Sequence, residues 1–574
     1  MLTRRDRAVV GGLLLALVAL AGAIAWPTVA PAGAVVASPT PTLAPTRPYR
    51  EGVLGRPTAI SPFGARSPAD RDLVSLVFSG LVRLGPGETI VPDLAARWTV
   101  DSDEKTWTFT LRSDAAWQDG VPVTADDVAF TIRSLNDATY TGPGAGSWSD
   151  VTVEVVDERT VRFEIANPIA GFLVLATQPI APAHLLDGVP PDSLAANPFG
   201  QQPIGSGPYR LVSWNADEAT LEAAIPVSGT DAGGDQPPDS LASPTPTPTP
   251  VRPLPYLDRL EFRYFQDPAD LEAAYRAGEL DAASGLGPSD AASIGTTAGS
   301  HLLRYPGSTL TAVLFDQRAD RTAFRDPRTR RALVEAIDRD AIVATTLDGL
   351  AVRADAPIPP SSWAFDSSKS PPIAHDVKAA AADLTAAGWK RRSDGRWAAP
   401  GTTSAYHLEL VTTDSASNPV DWAVAAAIAA DWRALGLDVD VVGLSPSELI
   451  DKRLAPGDFD VALVDVVVGL DPDLYPLLAS SQTLAGGPNV SGVQDPTLDT
   501  KLTAARAPGD ETARTTAYAD LQSYLSTKTF LGPIAWRETV VAAHDDLVGP
   551  TVRRLGQPSD RFYDVLTWRL AGGR

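Results

Sequence analysis

The sequence predicts an α/β protein built in more than one lobe. Three features carry that prediction: stretches that alternate apolar with polar residues, helices with legible start and stop signals, and a later half in which the two elements take turns. Alternation runs through Trp107-Thr-Phe-Thr-Leu111, Thr160-Val-Arg-Phe-Glu-Ile165 and Leu260-Glu-Phe-Arg-Tyr-Phe265. Period two sends one set of side chains to a single face of a sheet. Thr124 and Asp127 form a capping box ahead of Val128-Ala-Phe130, where each side chain satisfies a free backbone N–H at a helix start. Asp326-Pro327 sets an N-cap and a first-turn proline before Ala332, Leu333, Ala336 and Ile337, which share one helical face. Asn418-Pro419 opens a helix that runs to Leu435 and stops at Gly436, and Leu437-Asp-Val-Asp-Val441 then alternates as a strand.

Bulk composition narrows the function classes. The chain has 574 residues, 44% apolar and 21% charged, as in ordinary soluble domains, and a formal net charge of −22. So acidic a surface repels phosphate backbones, and no nucleic-acid partner is expected. There is no cysteine, which excludes disulfides, thiolate metal sites, cysteine nucleophiles and a lipid-modified N-terminal cysteine. Residues 1–26 read as an export segment: Arg4, Arg5 and Arg7 precede an uncharged apolar run from Ala8 to Trp26. That run has the length of a membrane-spanning helix, and its basic flank holds the N-terminus inside. It is read as an anchor; a cleaved signal is the alternative, with Ala32-Gly33-Ala34 as a small-residue cleavage site. Residues 27–49, rich in Pro, Thr, Ala and Ser, read as an extended linker reaching on the order of 70 Å. A second Pro-Thr tract at 228–252 reads as a disordered insertion within the folded region.

Short blocks in a fixed order then point to a family. They include Leu76-Val-Phe-Ser-Gly-Leu-Val-Arg83, Ile90-Val-Pro-Asp-Leu-Ala-Ala-Arg-Trp98 and Trp117-Gln-Asp-Gly-Val-Pro-Val-Thr-Ala-Asp-Asp-Val128. Pro203-Ile-Gly-Ser-Gly-Pro-Tyr-Arg-Leu211, Asp326-Pro-Arg-Thr-Arg-Arg-Ala-Leu333 and Asp431-Trp-Arg-Ala-Leu-Gly-Leu437 follow. Together they resemble the family 5 extracellular solute-binding proteins, the peptide, nickel and oligosaccharide binding components of ABC importers. The resemblance implies a two-lobed periplasmic-binding-protein fold of the class II-like type, with a discontinuous first lobe. Lobe 1 would comprise residues 50–304 and a return at 532–574; lobe 2 would comprise 305–531. The crossings would fall near Leu310–Asp316 and Phe530–Ile534. It also implies that lobes closing on a ligand make the signal an importer reads.

The resemblance extends to individual positions. In peptide-binding members an aspartate ahead of an Asp-Pro-like segment pairs with the ligand's amino group, and alignment on Asp471-Pro472 puts Val468 there. An arginine before an Asn-Pro like Asn418-Pro419 holds the carboxylate of dipeptides, and that position is Ser415. With both charges gone, a free dipeptide would bury an unpaired ammonium at a cost of several kcal/mol. The remaining candidates are Asp465 as a polar anchor and Tyr475, Trp363 and Phe63 as flat contact surfaces, with core packing the competing reading for each aromatic. No Gly-x-Ser-x-Gly, His-Glu-x-x-His or P-loop occurs, and the five histidines are scattered, so no catalysis, cofactor or metal is expected. The expected partners are a peptide-like or other small ligand, the permease subunits of an importer and, through residues 1–26, the outer face of a membrane; a monomer is expected. The competing readings are a tethered sensor or scaffold on the same fold and, less favoured, a secreted hydrolase.

Overall fold

The computed structural model describes residues 47–102, 104–145, 147–148, 151–224, 256–483, 487–507 and 511–571. The readings of 1–26 and of the 228–252 insertion lie outside the described residues, as does nearly all of 27–49. The last residues of that linker are already structured. Arg47 bridges Asp281 at 2.6 Å and Asp546 at 2.9 Å, and strand β1 (Tyr49–Leu54) starts two residues later.

Among the described residues, eleven strands join into one sheet. After β1 come β2 (Tyr209–Trp214), β3 (Glu218–Ala223), β4 (Arg259–Phe265), β5 (Ala282–Ser284) and β6 (Ser300–Phe315). The later strands are β7 (Ala351–Arg353), β8 (His407–Thr413), β9 (Asp438–Leu444), β10 (Val461–Val467) and β11 (Leu531–His544). The spatial order is β9-β8-β10-β6-β11-β5-β1-β4-β3-β2, with β7 also paired to β11. A separate antiparallel sheet holds Ala95–Val100, Thr106–Leu111, Thr160–Ile165 and Val151–Asp157. There the alternation written in the sequence buries Trp107, Phe109, Val161 and Phe163, and the three aromatic rings pack on Phe172.

Two strands run through both lobes. Residues Ser300–Pro306 of β6 pair with Glu538–His544 of β11, and Leu310–Leu314 pair with Leu531–Trp536. The register shifts between Pro306 and Leu310, and the local sequence accounts for it. Proline offers no ladder N–H, and a Cβ on Gly307 would collide with the backbone oxygen of Arg537. The buried clusters divide at the same place. One collects residues from Tyr49 to Tyr305 together with Val541 to Trp568; two others collect residues between Leu310 and Trp536 on opposite faces of the sheet.

The returning C-terminus is tied to lobe 1 by a buried ionic knot. Helix α1 (Pro68–Val77) opens with a Ser67/Asp70 capping box and presents Asp72 inward. Arg561, in the turn of 3₁₀ helix Pro558–Thr567, donates to Asp72 through both terminal nitrogens at 2.7 Å and to Glu51 of β1 at 2.9 Å. Lobe 2 packs helices α2 (Pro327–Glu335) and α3 (Pro419–Leu435) on one face of the sheet, and α4 (Pro496–Arg506) and α5 (Glu511–Lys528) on the other. The expected caps form: Asp326 and Asn418 each accept from a first-turn N–H, and Gly436 ends α3 in the left-handed conformation at φ 103°.

Candidate functional site

Just beyond the register shift, four strands and one helix converge polar side chains on one face. In β10 the residues Val461 and Leu463 enter the core shared with α2 and α3, so the alternation brings Asp465 to that same face one step nearer the other lobe. Thr311 of β6 lies opposite Asp465 in register and donates to its Oδ1 at 2.5 Å. Arg537 of β11 donates Nε to the Thr311 hydroxyl at 2.7 Å and Nη2 to Asp421 Oδ1 at 2.6 Å. Asp421 stands in the first turn of α3, where its N–H is capped by Asn418, and its Oδ2 accepts from Thr413 at 3.4 Å.

The cluster carries two carboxylates and one guanidinium, and they are unequally served. Asp421 is 6% exposed and bonded directly to Arg537. Asp465 is 32% exposed and its oxygen stands 3.7 Å from the Arg537 Nε, beyond hydrogen-bond range. Burial pushes the Asp421 carboxyl up to about 7, and the charge of Asp465 pushes the same way against the pull of Arg537. The open side of the cluster is therefore acidic, and Asp465 is the carboxylate on that side.

The other sequence-derived residues fall elsewhere. Trp363 and Tyr475 are part-buried against the Val464/Val466 face of β10, opposite Asp465. Arg514 lies 4.6 Å over the Trp363 ring, and Arg506 lies 4.4 Å over the Tyr475 ring. Phe63 is a core residue of lobe 1, with no exposed surface, set edge-on to Phe130 and Tyr140. It offers no flat face to a ligand, because the lobe needs it as filling. Val468 is buried too, and its N–H donates to Ser308 O at 2.8 Å. Ser415 is exposed in the turn ahead of α3. The Asp471 used to align these positions is a structural acid, receiving Arg514 at 2.6 and 2.8 Å and the Tyr518 hydroxyl at 2.9 Å.

Two backbone carbonyls of lobe 2 accept hydrogen bonds from lobe 1. Arg554, buried in lobe 1 and paired with Glu88 at 2.8 Å, donates to Leu470 O at 2.7 Å in lobe 2. The Ala170 N–H of lobe 1 donates to Arg506 O, at the end of α4, at 3.2 Å. Sequence reading missed Arg537, Asp421 and Arg554. Asp421 shows locally only as a first-turn acid after Asn418-Pro419, a capping signal, and its partner Arg537 stands 116 positions away. Among the described residues no group of His, Cys, Asp or Glu could hold a metal ion.

A family model described as bacterial extracellular solute-binding proteins, family 5 Middle, matches residues 89–487. The chain belongs to that family. Protein XP55 of Streptomyces lividans is 30% identical over 479 residues, covering 83% of this chain and 80% of that protein. The oligopeptide-binding protein AppA of Bacillus subtilis is 24% identical over 443 residues, covering 76% of each chain. Among solved structures, NikZ of Campylobacter jejuni in complex with Ni(L-His) superposes with a TM-score of 0.71 at 25% identity, covering 92% of this chain and all of that one. This family 5 binding protein has the two-lobed α/β fold with a discontinuous first lobe, works outside the cytoplasm, and delivers a captured solute to an ABC importer. No helix among the described residues is long and apolar enough to cross a membrane.

Proposed function

We propose that this binding protein captures a peptide-like solute that carries a cationic group, with Asp465 as the anchor for that group. The observation that carries the reading is the imbalance at the lobe junction: two acids share one arginine, and the acid left outside its hydrogen-bond reach is the exposed one. A buried cationic group needs a carboxylate partner to repay its desolvation, and Asp465 retains free acceptor capacity beside its bond from Thr311. A free dipeptide is disfavoured, since Val468 and Ser415 supply neither of the charges that would clamp its two ends. The names of relatives support a peptide-like solute, while the nickel–histidine complex of NikZ shows that one fold serves different cargoes.

The lobes are read as dividing at Pro306–Leu310 on β6 and at Trp536–Glu538 on β11, where the register breaks, and as closing over the Asp465 cluster. We read the protein as a monomeric binder without catalysis, held to the outer face of the membrane by residues 8–26. The absence of any cysteine for lipid attachment supports the tether. Two measurements test these readings. Native mass spectrometry of the protein purified from its own host identifies the bound solute: a molecule with an amino or other cationic group is expected, and a purely anionic or neutral solute overturns the role of Asp465. Fractionation of cells tests the tether, because release of a shortened soluble form contradicts it.

A further inference from the structure

A cavity lies far from the lobe junction, and its lining is of the opposite sign to the Asp465 cluster. It has a volume of about 510 Å³, within the range of roughly 300–1,000 Å³ typical of small-molecule sites. Three elements place it at the outer pole of lobe 2. β6 ends at Phe315 and leads into its wall at Gln317 and Arg318, α4 begins beside it after Asp495, and α5 ends at it with Lys528. From Thr309 at the register break to Gln317 the chain advances roughly 26 Å at about 3.3 Å per residue, so this cavity is separate from the Asp465 cluster.

Four cations line it, Arg318, Arg325, Arg330 and Lys528, against one acid, Asp495. That acid is already engaged: it caps α4 through the N–H groups of Thr497 and Leu498 and accepts from the Tyr524 hydroxyl at 2.9 Å. Arg330 is buried and spends its donors on backbone oxygens of Phe324, Arg325, Lys528 and Thr529, with no carboxylate bonded to it. Arg325 is exposed, and among the described residues neither it nor Lys528 forms an ion pair. Arg318 is held in place from three sides. Asp316 accepts from its Nη1 at 3.0 Å, and its side chain lies across Gly492 and Gly457. Both glycines have positive φ, and at either of them a Cβ would collide with the arginine. On a chain of net charge −22, whose general field repels anions, this is a local reversal in a formed cavity, where Arg325 and Lys528 have no carboxylate partner among the described residues and the buried Arg330 donates only to carbonyls.

We propose that the cavity is a second binding site, selective for a soluble multivalent oxyanion, a phosphorylated or polycarboxylated small molecule. Arg325 and Lys528 would give such a ligand charge-assisted hydrogen bonds, with the charges of Arg318 and Arg330 behind them.

The test is calorimetric titration of inorganic pyrophosphate into the full-length protein at low ionic strength, alongside the R325Q/K528Q double variant and vesicles of phosphatidylglycerol. Both altered side chains are at the surface or the rim, and an unchanged urea midpoint will show that the variant folds. The proposal expects saturable pyrophosphate binding that weakens about tenfold or more in the variant and fades as salt is raised, while capture of the co-purified solute is unchanged. Absence of saturable binding overturns it, and so does equal affinity in the double variant. Binding to the vesicles without binding of pyrophosphate also overturns it, since the site would then read a membrane surface rather than a soluble anion.

Discussion

The clusters around Arg561 and Arg537 each set two carboxylates about one arginine, and they differ in how the arginine is shared. In lobe 1, Arg561 lies buried between Asp72 and Glu51 and bonds to both, while the Tyr49 hydroxyl completes Glu51 at 2.8 Å. Both carboxylates are hydrogen-bonded to the guanidinium, and the knot fastens the returning C-terminus to the first strand. At the lobe junction, Arg537 bonds to Asp421 and Thr311 and stops 3.7 Å short of Asp465, whose side chain stays open. Equal stoichiometry thus gives a fastener in one case and, in the other, a partly exposed carboxylate bonded to Thr311 but not to the arginine. What separates a structural cluster from a binding cluster is whether any charge is left over at a surface.

The largest expected effect breaks the fastener. In R561M two acids stay buried without a cationic partner, and unfolding in urea should show a loss of about 3–5 kcal/mol. The matching variant R537M should cost less, about 1–3 kcal/mol, because Asp465 can turn to water. Equal losses would erase the distinction between the two clusters.

D465N should act the other way. Its stability should stay within about 1 kcal/mol of the parent, because the carboxylate is partly solvated and its accepted hydrogen bond is one an amide can also take. Its affinity for a cationic solute should fall by about 1.5–3 kcal/mol, the worth of a hydrogen bond to a charged group.

A further effect concerns pH. Burial raises the Asp421 carboxyl to about 7, so the folded chain holds a proton there that the unfolded chain releases near the ordinary carboxylate value of 3.8. The folded state binds more protons across that window, and stability contributed by this group falls as pH rises through it, by at most about 1.4 kcal/mol per pH unit. Above about 7 the cluster gains a full negative charge, so a cationic solute should bind more tightly there. Urea midpoints and solute titrations at several pH values should show both trends, and both should flatten in D421N. A slope that persists in D421N assigns the titration to another group.

Much of the fold is readable from local signals. The Thr124/Asp127 capping box, the N-caps at Asp326 and Asn418, and Gly436 at the end of α3 are set by neighbours within a few residues. Strand alternation at Trp107–Leu111 is equally local. The register break is also written in Pro306-Gly307, although it is not evident that these two residues mark a boundary until their partner strand is seen. The site is less legible because it is assembled across the sheet. Arg537 meets Asp421 and Thr311 only through the pairing of β11 with β6 and the packing of α3. Aromatic residues mislead for the same reason: only packing shows Phe63 in lobe 1 wholly buried and Trp363 in lobe 2 part-buried. Asp465 stood out because an acid interrupts a run of valines, and alternation brings that acid to the open end of the core face.

The most direct test of the unanswered-carboxylate account is calorimetric titration of the co-purified solute into the parent protein and into D465N at neutral pH. The account predicts affinity lower by about tenfold or more in D465N, with the urea midpoint unchanged. Equal affinity in the two proteins would contradict it.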